Sequence, residues 1–341
     1  MTSPTPLKFL MPGWFSVVMG LCGLSLAWHR ARNALGDMAD GIALVAGGLA
    51  AVVFGVLLVA SIVRAVRYPA ALADDLKHPV RHAFVAAFPV SLLLLTAVGV
   101  TLLGPHPALN VLWVVGSAAQ LWSTAWVLGH WLAPVTKPQP GQGPGNTGLW
   151  PAVTPVLLIP VVGNVVAPLA GLPLGHEAWS AAQMGIGAFF WPVVLTLVLV
   201  RRLAHSPLPD RILPAWFITI APPAVIGAVL TQFNAPAPFA LAMWGVALFF
   251  VLWVTPMVKR VAAQPFGVAF WGMSFPFAAF TTLTLRLAEM QASGALQTVG
   301  VLLLAITSII VLWLGFATVR GLREGSLLAP EPIASIQPVA A

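Results

Sequence analysis

Few residues of this chain have types and spacing suited to chemistry, and most of those stand inside or beside long apolar runs. His78 and His82 are four apart, with Asp74 and Asp75 close by, so two imidazoles on one helix face could bind a metal. Pro79 interrupts that helix and no cysteine joins the set, which favours a solvated, basic helix start over a metal pair. Arg286 and Glu289, three apart, suit a surface ion pair; the alternative is that Arg286 draws anions toward a mouth. Asn164, beside Gly163 in an apolar run, is either glue between helices or a polar group lining a path. Ser91, Thr219 and Thr281 place hydroxyls in similar runs, and Phe275 stands directly before Pro276. An intramembrane hydrolase or transferase needs a nucleophile and base, or an acidic metal cluster, at membrane depth. None is evident in the sequence, so no enzyme activity and no cofactor is expected.

The elements that must position these groups follow from composition. Of 341 residues, 59% are apolar and 7% charged, and mean hydropathy is +0.95. No soluble globule hides that much hydrocarbon. Crossing roughly 30 Å of hydrocarbon takes about 20 apolar residues. Ten windows qualify: Pro12 to Trp28, Gly41 to Val66, His82 to Leu103, Leu109 to Leu132, Leu149 to Leu172, Trp179 to Val200, Ile212 to Thr231, Pro238 to Val258, Pro265 to Leu287 and Gly294 to Val319. Short links make neighbours antiparallel hairpins. The first window is too long for a secretory h-region and ends without a small-x-small cleavage site, so it reads as a retained helix. The single cysteine, Cys22, excludes an intrachain disulfide. Residues 137–148, rich in Pro, Gly and Gln, read as a linker. Residues 1–11 read as an N-terminal segment, 12–320 as the membrane domain and 321–341 as a disordered tail.

Lysine and arginine fix the orientation. With the N-terminus on one side, thirteen basic residues fall on that side and only Arg30, Arg32 and Arg286 on the other. The positive-inside rule then makes both termini cytoplasmic, as in a bacterial inner-membrane protein. The net charge of +7 is largely accounted for by that asymmetry, so nucleic acid is not an expected partner. Trp14, Trp28, Trp131, Trp150, Trp179 and Trp271 fall near window ends, where interfacial belts form.

Proline interrupts the odd-numbered windows far more often than the even ones: Pro89 in the third, Pro160 in the fifth, Pro222 and Pro223 in the seventh, Pro276 in the ninth. Mid-helix proline leaves a carbonyl unpaired, which is tolerated in protein interiors or beside water. The odd helices are therefore expected inside and the even ones toward lipid. An apolar residue precedes each of these prolines, as in Ala87-Phe88-Pro89, Leu158-Ile159-Pro160 and Ser274-Phe275-Pro276. The repeat predicts an all-α membrane protein of five helical hairpins in a pseudo-fivefold ring around a central pore. No window carries Asp, Glu, Lys or Arg near its middle, as a passive path requires and an ion-coupled transporter usually does not. An anion would then be held by backbone groups freed at the kinks and by the three hydroxyls.

Several ordered motifs resemble the TehA-like tellurite-resistance and dicarboxylate transporter family, which includes the slow-type anion channels of plant guard cells. They run from Asp75 to Phe84 and on through Phe88-Pro89-Val90, from Ile159 to Gly171, from Leu213 to Val225, and from Trp271 to Pro276. The resemblance implies a homotrimer in the bilayer, each protomer with a pore lined by the odd helices. It implies that Phe275 occludes that pore and that a glycine of the first helix, best matched by Gly13, lies against the ring. Proline directly precedes Gly13, and Ser16 stands where relatives often carry a second glycine. The pore-lining set so implied is Gly13, Ser16, Phe88, Pro89, Pro160, Asn164, Pro222, Pro223, Pro276 and Thr281. The implied function is a channel or facilitator for small anions. The alternative is a secondary transporter exporting dicarboxylate, sulfite or tellurite-type oxyanions.

Overall fold

The computed structural model describes residues 6–132, 150–205 and 208–329. The predicted 137–148 linker and the tail beyond residue 329 lie outside them. Every regular element among the described residues is helical. The principal α-helices are α1 (Ser16–Arg30), α2 (Asp37–Arg67), α3 (Pro69–Lys77), α4 (Ala87–Leu103), α5 (Pro107–Gly129), α6 (Leu158–Val166), α7 (Glu177–Ala204), α8 (Ala221–Gln232), α9 (Ala237–Val254), α10 (Ser274–Met290) and α11 (Gly294–Arg323). Counting their 3-10 extensions, eight helices are long and apolar enough to cross a membrane, and the Pro155–Gly171 helix is apolar but shorter. Helix α3 has no counterpart among the windows, because its Ala-Asp-Asp-Leu run is too polar to span.

Burial divides the helices into two sets. In the spans built on α4, α8 and α10, 72–89% of the most apolar stretch is buried; in those built on α2, α5, α7, α9 and α11 the figure is 22–39%. Helices α1 and α6 belong with the first set, since all nine residues of α6 and nearly all of α1 up to Ser25 are buried. Each buried helix packs on the exposed helix that follows it. The buried helices also touch in order, α1 on α4, α4 on α6, α6 on α8 and α8 on α10, and α10 returns to α1. Close approach depends on small residues at some of these seams. A Cβ on Gly187 of α7 would lie 3.1 Å from the backbone O of Val161 and N of Val165 in α6.

The prolines do not break these helices. Each buried helix begins as a 3-10 run: Pro12–Phe15, Arg81–Ala86, Pro155–Leu157, Asp210–Ile220 and Val268–Met273. The α-helix that follows carries proline at its third residue in four of the five, namely Pro89, Pro160, Pro223 and Pro276. Proline's fixed φ suits a helical turn, but each of these residues follows its 3-10 run within one continuous helix, and Pro214 lies inside the 3-10 run that precedes α8. The α-helix with an interior proline is instead the exposed α7, at Pro192. The prolines thus stand at or beside the junction of 3-10 and α-helix, and the i→i+3 bonds of the 3-10 run continue across it, with Ala87 N donating to Phe84 O and Leu158 N to Pro155 O. Two tryptophans assigned to an interfacial belt, Trp14 and Trp271, are buried. Trp271 Nε1 donates to Thr318 Oγ1 of α11 at 2.9 Å, tying the start of α10 to its hairpin partner.

Candidate functional site

Two cavities are bordered by the buried helices, the larger also by Arg64 of α2, by α3 and by both ends of the described chain. The larger, about 670 Å³, opens at the end where Lys8 stands. Its depth is apolar, with Met19, Val90, Ile159, Val162 and Ile218, while Lys8, Arg64, Arg81 and Arg211 stand nearer its opening with Asp74, Asp75 and His78. Four cations against two carboxylates leave that end with two excess positive charges, His78 counted as neutral. Tail residues Ser326, Leu327 and Ala329 also line it, so the described part of the tail folds back on the bundle. The smaller cavity, about 150 Å³, lies toward the Arg30 end, and its walls come from α1, α4, α8, α10 and Leu169 alone. Phe275 is the one described residue that lines both.

The Phe275 ring is held firmly. It is 5% exposed, at the second residue of α10, between Ser274, whose Oγ donates to Trp271 O at 2.6 Å, and Pro276. The glycine beneath the ring is Gly23 of α1: a Cβ there would lie 3.2 Å from Phe275 Cδ2 and 2.8 Å from Ala278 Cβ. Gly13 sits in the preceding 3-10 run, and a Cβ there would meet the Phe84 ring at 3.3 Å. Ten residues of rising helix separate the two glycines, so the role expected of Gly13 falls to Gly23. The sequence offered one signal for this, the Gly20 and Gly23 spacing that puts two small residues near one face of α1.

The structure distributes the other candidates unevenly. Gly13, Ser16 and Pro276 line the larger cavity with Phe275. Phe88, Pro89, Pro160, Asn164, Pro222, Pro223 and Thr281 are outside both linings. Phe88 turns toward α2, stacking on Phe54 with centroids 5.7 Å apart. Asn164 Nδ2 donates to Thr124 Oγ1 of α5 at 2.8 Å, and the Pro160 carbonyl accepts from Gln120 Nε2 and Thr124 Oγ1, both at 2.7 Å. Between glue and path, this polar knot resolves Asn164 as glue joining α6 to α5. The expected anion-holding hydroxyls are engaged as well. Ser91 Oγ lies 2.7 Å from Ala87 O, Thr219 Oγ1 donates to Trp216 O at 2.7 Å, and Thr281 Oγ1 reaches Phe277 O at 2.8 Å and Thr307 of α11 at 3.0 Å. The hydroxyls that do line a cavity are Ser16 and Ser326 in the larger and Thr101, Thr231 and Thr282 in the smaller.

The stretch expected to be a solvated helix start is instead an ordered buttress of the larger cavity. Asp75, 2% exposed, accepts from Arg64 Nη2 at 2.6 Å and Arg81 Nη1 at 2.8 Å. Arg64, also buried, donates further to the carbonyls of Lys8 at 3.1 Å and Ala71 at 3.3 Å. The pair fastens α2, α3, the N-terminal segment and the start of the α4 span at one point. His78 Nδ1 accepts from the backbone N–H of Val80 and Arg81, both at 3.1 Å, which requires an unprotonated nitrogen. Burial, with Arg81 and His82 adding to it against Asp75, pushes the His78 pKa down to about 4. No cluster of metal-binding residues exists among the described residues.

Comparison with known proteins agrees with this architecture. The chain is 27% identical to an uncharacterized transporter of Methanocaldococcus jannaschii over 269 residues, 72% of this chain and 73% of that protein. It is 26% identical to a tellurite resistance protein TehA homolog of Haemophilus influenzae, covering 75% of each chain. It is 25% identical to the S-type anion channel SLAH2 of Arabidopsis thaliana, over 48% of this chain and 30% of that one. The sequence model of the voltage-dependent anion channel family, SLAC1, matches residues 10–319, which takes in all five buried helices, the smaller cavity and most of the lining of the larger. The protein is a multi-pass membrane protein and belongs to that anion-transporting family.

Proposed function

We propose that the protein conducts small anions passively along the axis of its five buried helices, with the Phe275 ring as the closing plug. The observation that carries this reading is that Phe275 alone borders both cavities. An aromatic ring across a narrow apolar path blocks ions by size and by dewetting. The ten helices then act as five hairpins in pseudo-fivefold order, the buried member of each facing the path. Both termini are cytoplasmic, so the basic opening of the larger cavity raises local anion concentration on that side. The working assembly is a homotrimer seated in lipid, its contacts drawn from the exposed helices.

Anion flux into proteoliposomes tests this. Phe275→Ala is expected to raise chloride or nitrate flux at least tenfold, which requires only about 1.4 kcal/mol off the barrier. Unchanged flux, with fold and trimer intact by cross-linking in mild detergent, would refute the plug. A second reading, export of oxyanions by a coupled transporter, takes its support from the tellurite-resistance name of the H. influenzae relative. It predicts flux driven by a proton or sodium gradient, whereas a passive path responds only to the anion gradient and voltage.

A further inference from the structure

We propose that Arg30 and Arg286 form a binding subsite for one small monovalent inorganic anion in the smaller cavity, with Glu289 set behind them as their clamp. Sequence alone favours a local surface pair between Arg286 and Glu289, but the structure shows a different arrangement. Glu289 Oε2 is shared between Arg30 Nη1 of α1 at 3.0 Å and Arg286 Nη1 of α10 at 3.5 Å. Its other oxygen accepts from Asn33 Nδ2 at 2.7 Å. One carboxylate thus holds two guanidinium groups side by side against their repulsion, and the group keeps a net charge of +1.

The direction in which these groups face decides what the cluster does. Arg30 and Arg286 line the smaller cavity, and no Asp or Glu is part of its wall. Asp40, which pairs with the wall residue His29 at 2.8 Å, is also occupied by Arg32 at 3.1 Å. Two of the three wall threonines have little to offer as donors, because Thr231 Oγ1 donates to Ala228 O and Thr282 Oγ1 to Ala278 O, while Thr101 is the third. Beside the Gln232 amide and the His29 ring, whose Nδ1 is held by Asp40, the guanidinium N–H groups not turned to Glu289 are the permanently charged donors of that wall. Arginine donors in a planar fork suit halides and flat oxyanions. About 150 Å³ admits such an ion with a few waters, since each water takes about 30 Å³ in the liquid.

The biological purpose of the subsite rests on the anion-path reading, but its binding chemistry does not, and the two are separable by experiment. Nitrate is titrated into detergent-solubilised protein in exchange for gluconate at constant ionic strength, and the dissociation constant is read from the shift in melting temperature. The wild type is expected to show a saturable shift. Arg286→Gln should weaken binding at least tenfold, as loss of a charge-assisted donor does. Glu289→Gln keeps the side-chain shape and an acceptor oxygen toward the two arginines once the exposed Asn33 amide turns to accept from the new NH2, and it removes the opposing charge, so it should tighten nitrate binding about threefold or more. Absence of saturation in the wild type, an Arg286→Gln curve superimposed on it, or unchanged or weaker binding in Glu289→Gln would each overturn the proposal. Should Arg286→Gln fail to fold, Glu289→Gln decides alone. Binding that behaves as expected while Phe275→Ala leaves flux unchanged would refute the plug and keep the subsite.

Discussion

Replacing Asp75 by asparagine should be among the most costly single changes at the opening of the larger cavity. The substitution removes the carboxylate from a pair whose side chains are 5% and 2% exposed, leaving Arg64 charged and buried. Breaking such a pair from one side costs about 3–5 kcal/mol. Arg64 keeps its bonds to the carbonyls of Lys8 and Ala71, which argues for the lower end, about 3 kcal/mol. Arg81, the second partner, has a side chain 33% exposed, so Arg81→Gln should cost at most about 1 kcal/mol. The double replacement Arg64→Met with Asp75→Leu removes the buried pair and should be less harmful than Asp75→Asn alone, because the one ion it leaves without a partner is Arg81, whose side chain is 33% exposed to water. Thermal unfolding in one detergent, followed by tryptophan fluorescence, ranks the three variants. Equal losses for Asp75→Asn and Arg81→Gln, or a double variant worse than Asp75→Asn, would refute the assignment of the cost to a stranded buried charge.

Two further tests address neighbouring features. The depressed His78 pKa means the folded state favours the neutral ring, so the unfolded state binds more protons between about pH 4 and the ordinary histidine value of 6.5. Its stabilising contribution is whole above pH 6.5 and is lost as pH falls toward 4. His78→Gln should flatten the melting-temperature profile across that window, and a profile parallel to wild type would exclude the group. Gly23→Ala puts a methyl 2.8 Å from Ala278 Cβ, which α10 carries rigidly, so the helices must part at a cost of about 1–3 kcal/mol. Adding Ala278→Gly should recover most of that loss in the same melting assay; no recovery would place the strain elsewhere.

Eight of the ten windows match described helices long and apolar enough to cross a membrane, because crossing hydrocarbon imposes length and polarity on the chain with little freedom. Window and helix limits agree to within a few residues, as at Gly294 and Leu103. The division into buried and exposed helices was legible too, although for an inexact reason. Proline marked the buried set because it suits the junction of 3-10 and α-helix, a position that sequence does not distinguish from a kink. The site was less readable. Phe275 stood out beside Pro276, but Gly23 beneath it depends on the axial offset between α1 and α10. The Arg64 and Asp75 pair joins residues eleven apart across a turn, and Glu289 joins residues more than 250 apart in the chain. Such partners are set by how hairpins stack, which no local spacing encodes. Asn164 shows the complementary limit. Its type suited a path or a seam equally, and only the orientation of α6 against α5 decided between them.

On the channel reading, the shared helix starts account for a single plug in a repeated scaffold. In the five buried helices the second α-residue is Val17, Phe88, Ile159, Pro222 or Phe275. Phe88 turns to α2 and stacks on Phe54, Ile159 borders the larger cavity only, and Phe275 alone reaches both cavities. On the channel reading, an anion therefore meets attraction at each end, from Arg64, Arg81 and Arg211 at one and from Arg30 and Arg286 at the other. Between them it crosses an apolar interval with no fixed charge. The barrier is then concentrated at one ring, not spread along the path. Substituting that ring should change conductance while leaving both basic ends as they are, and changing Glu289 should alter anion affinity without opening the path.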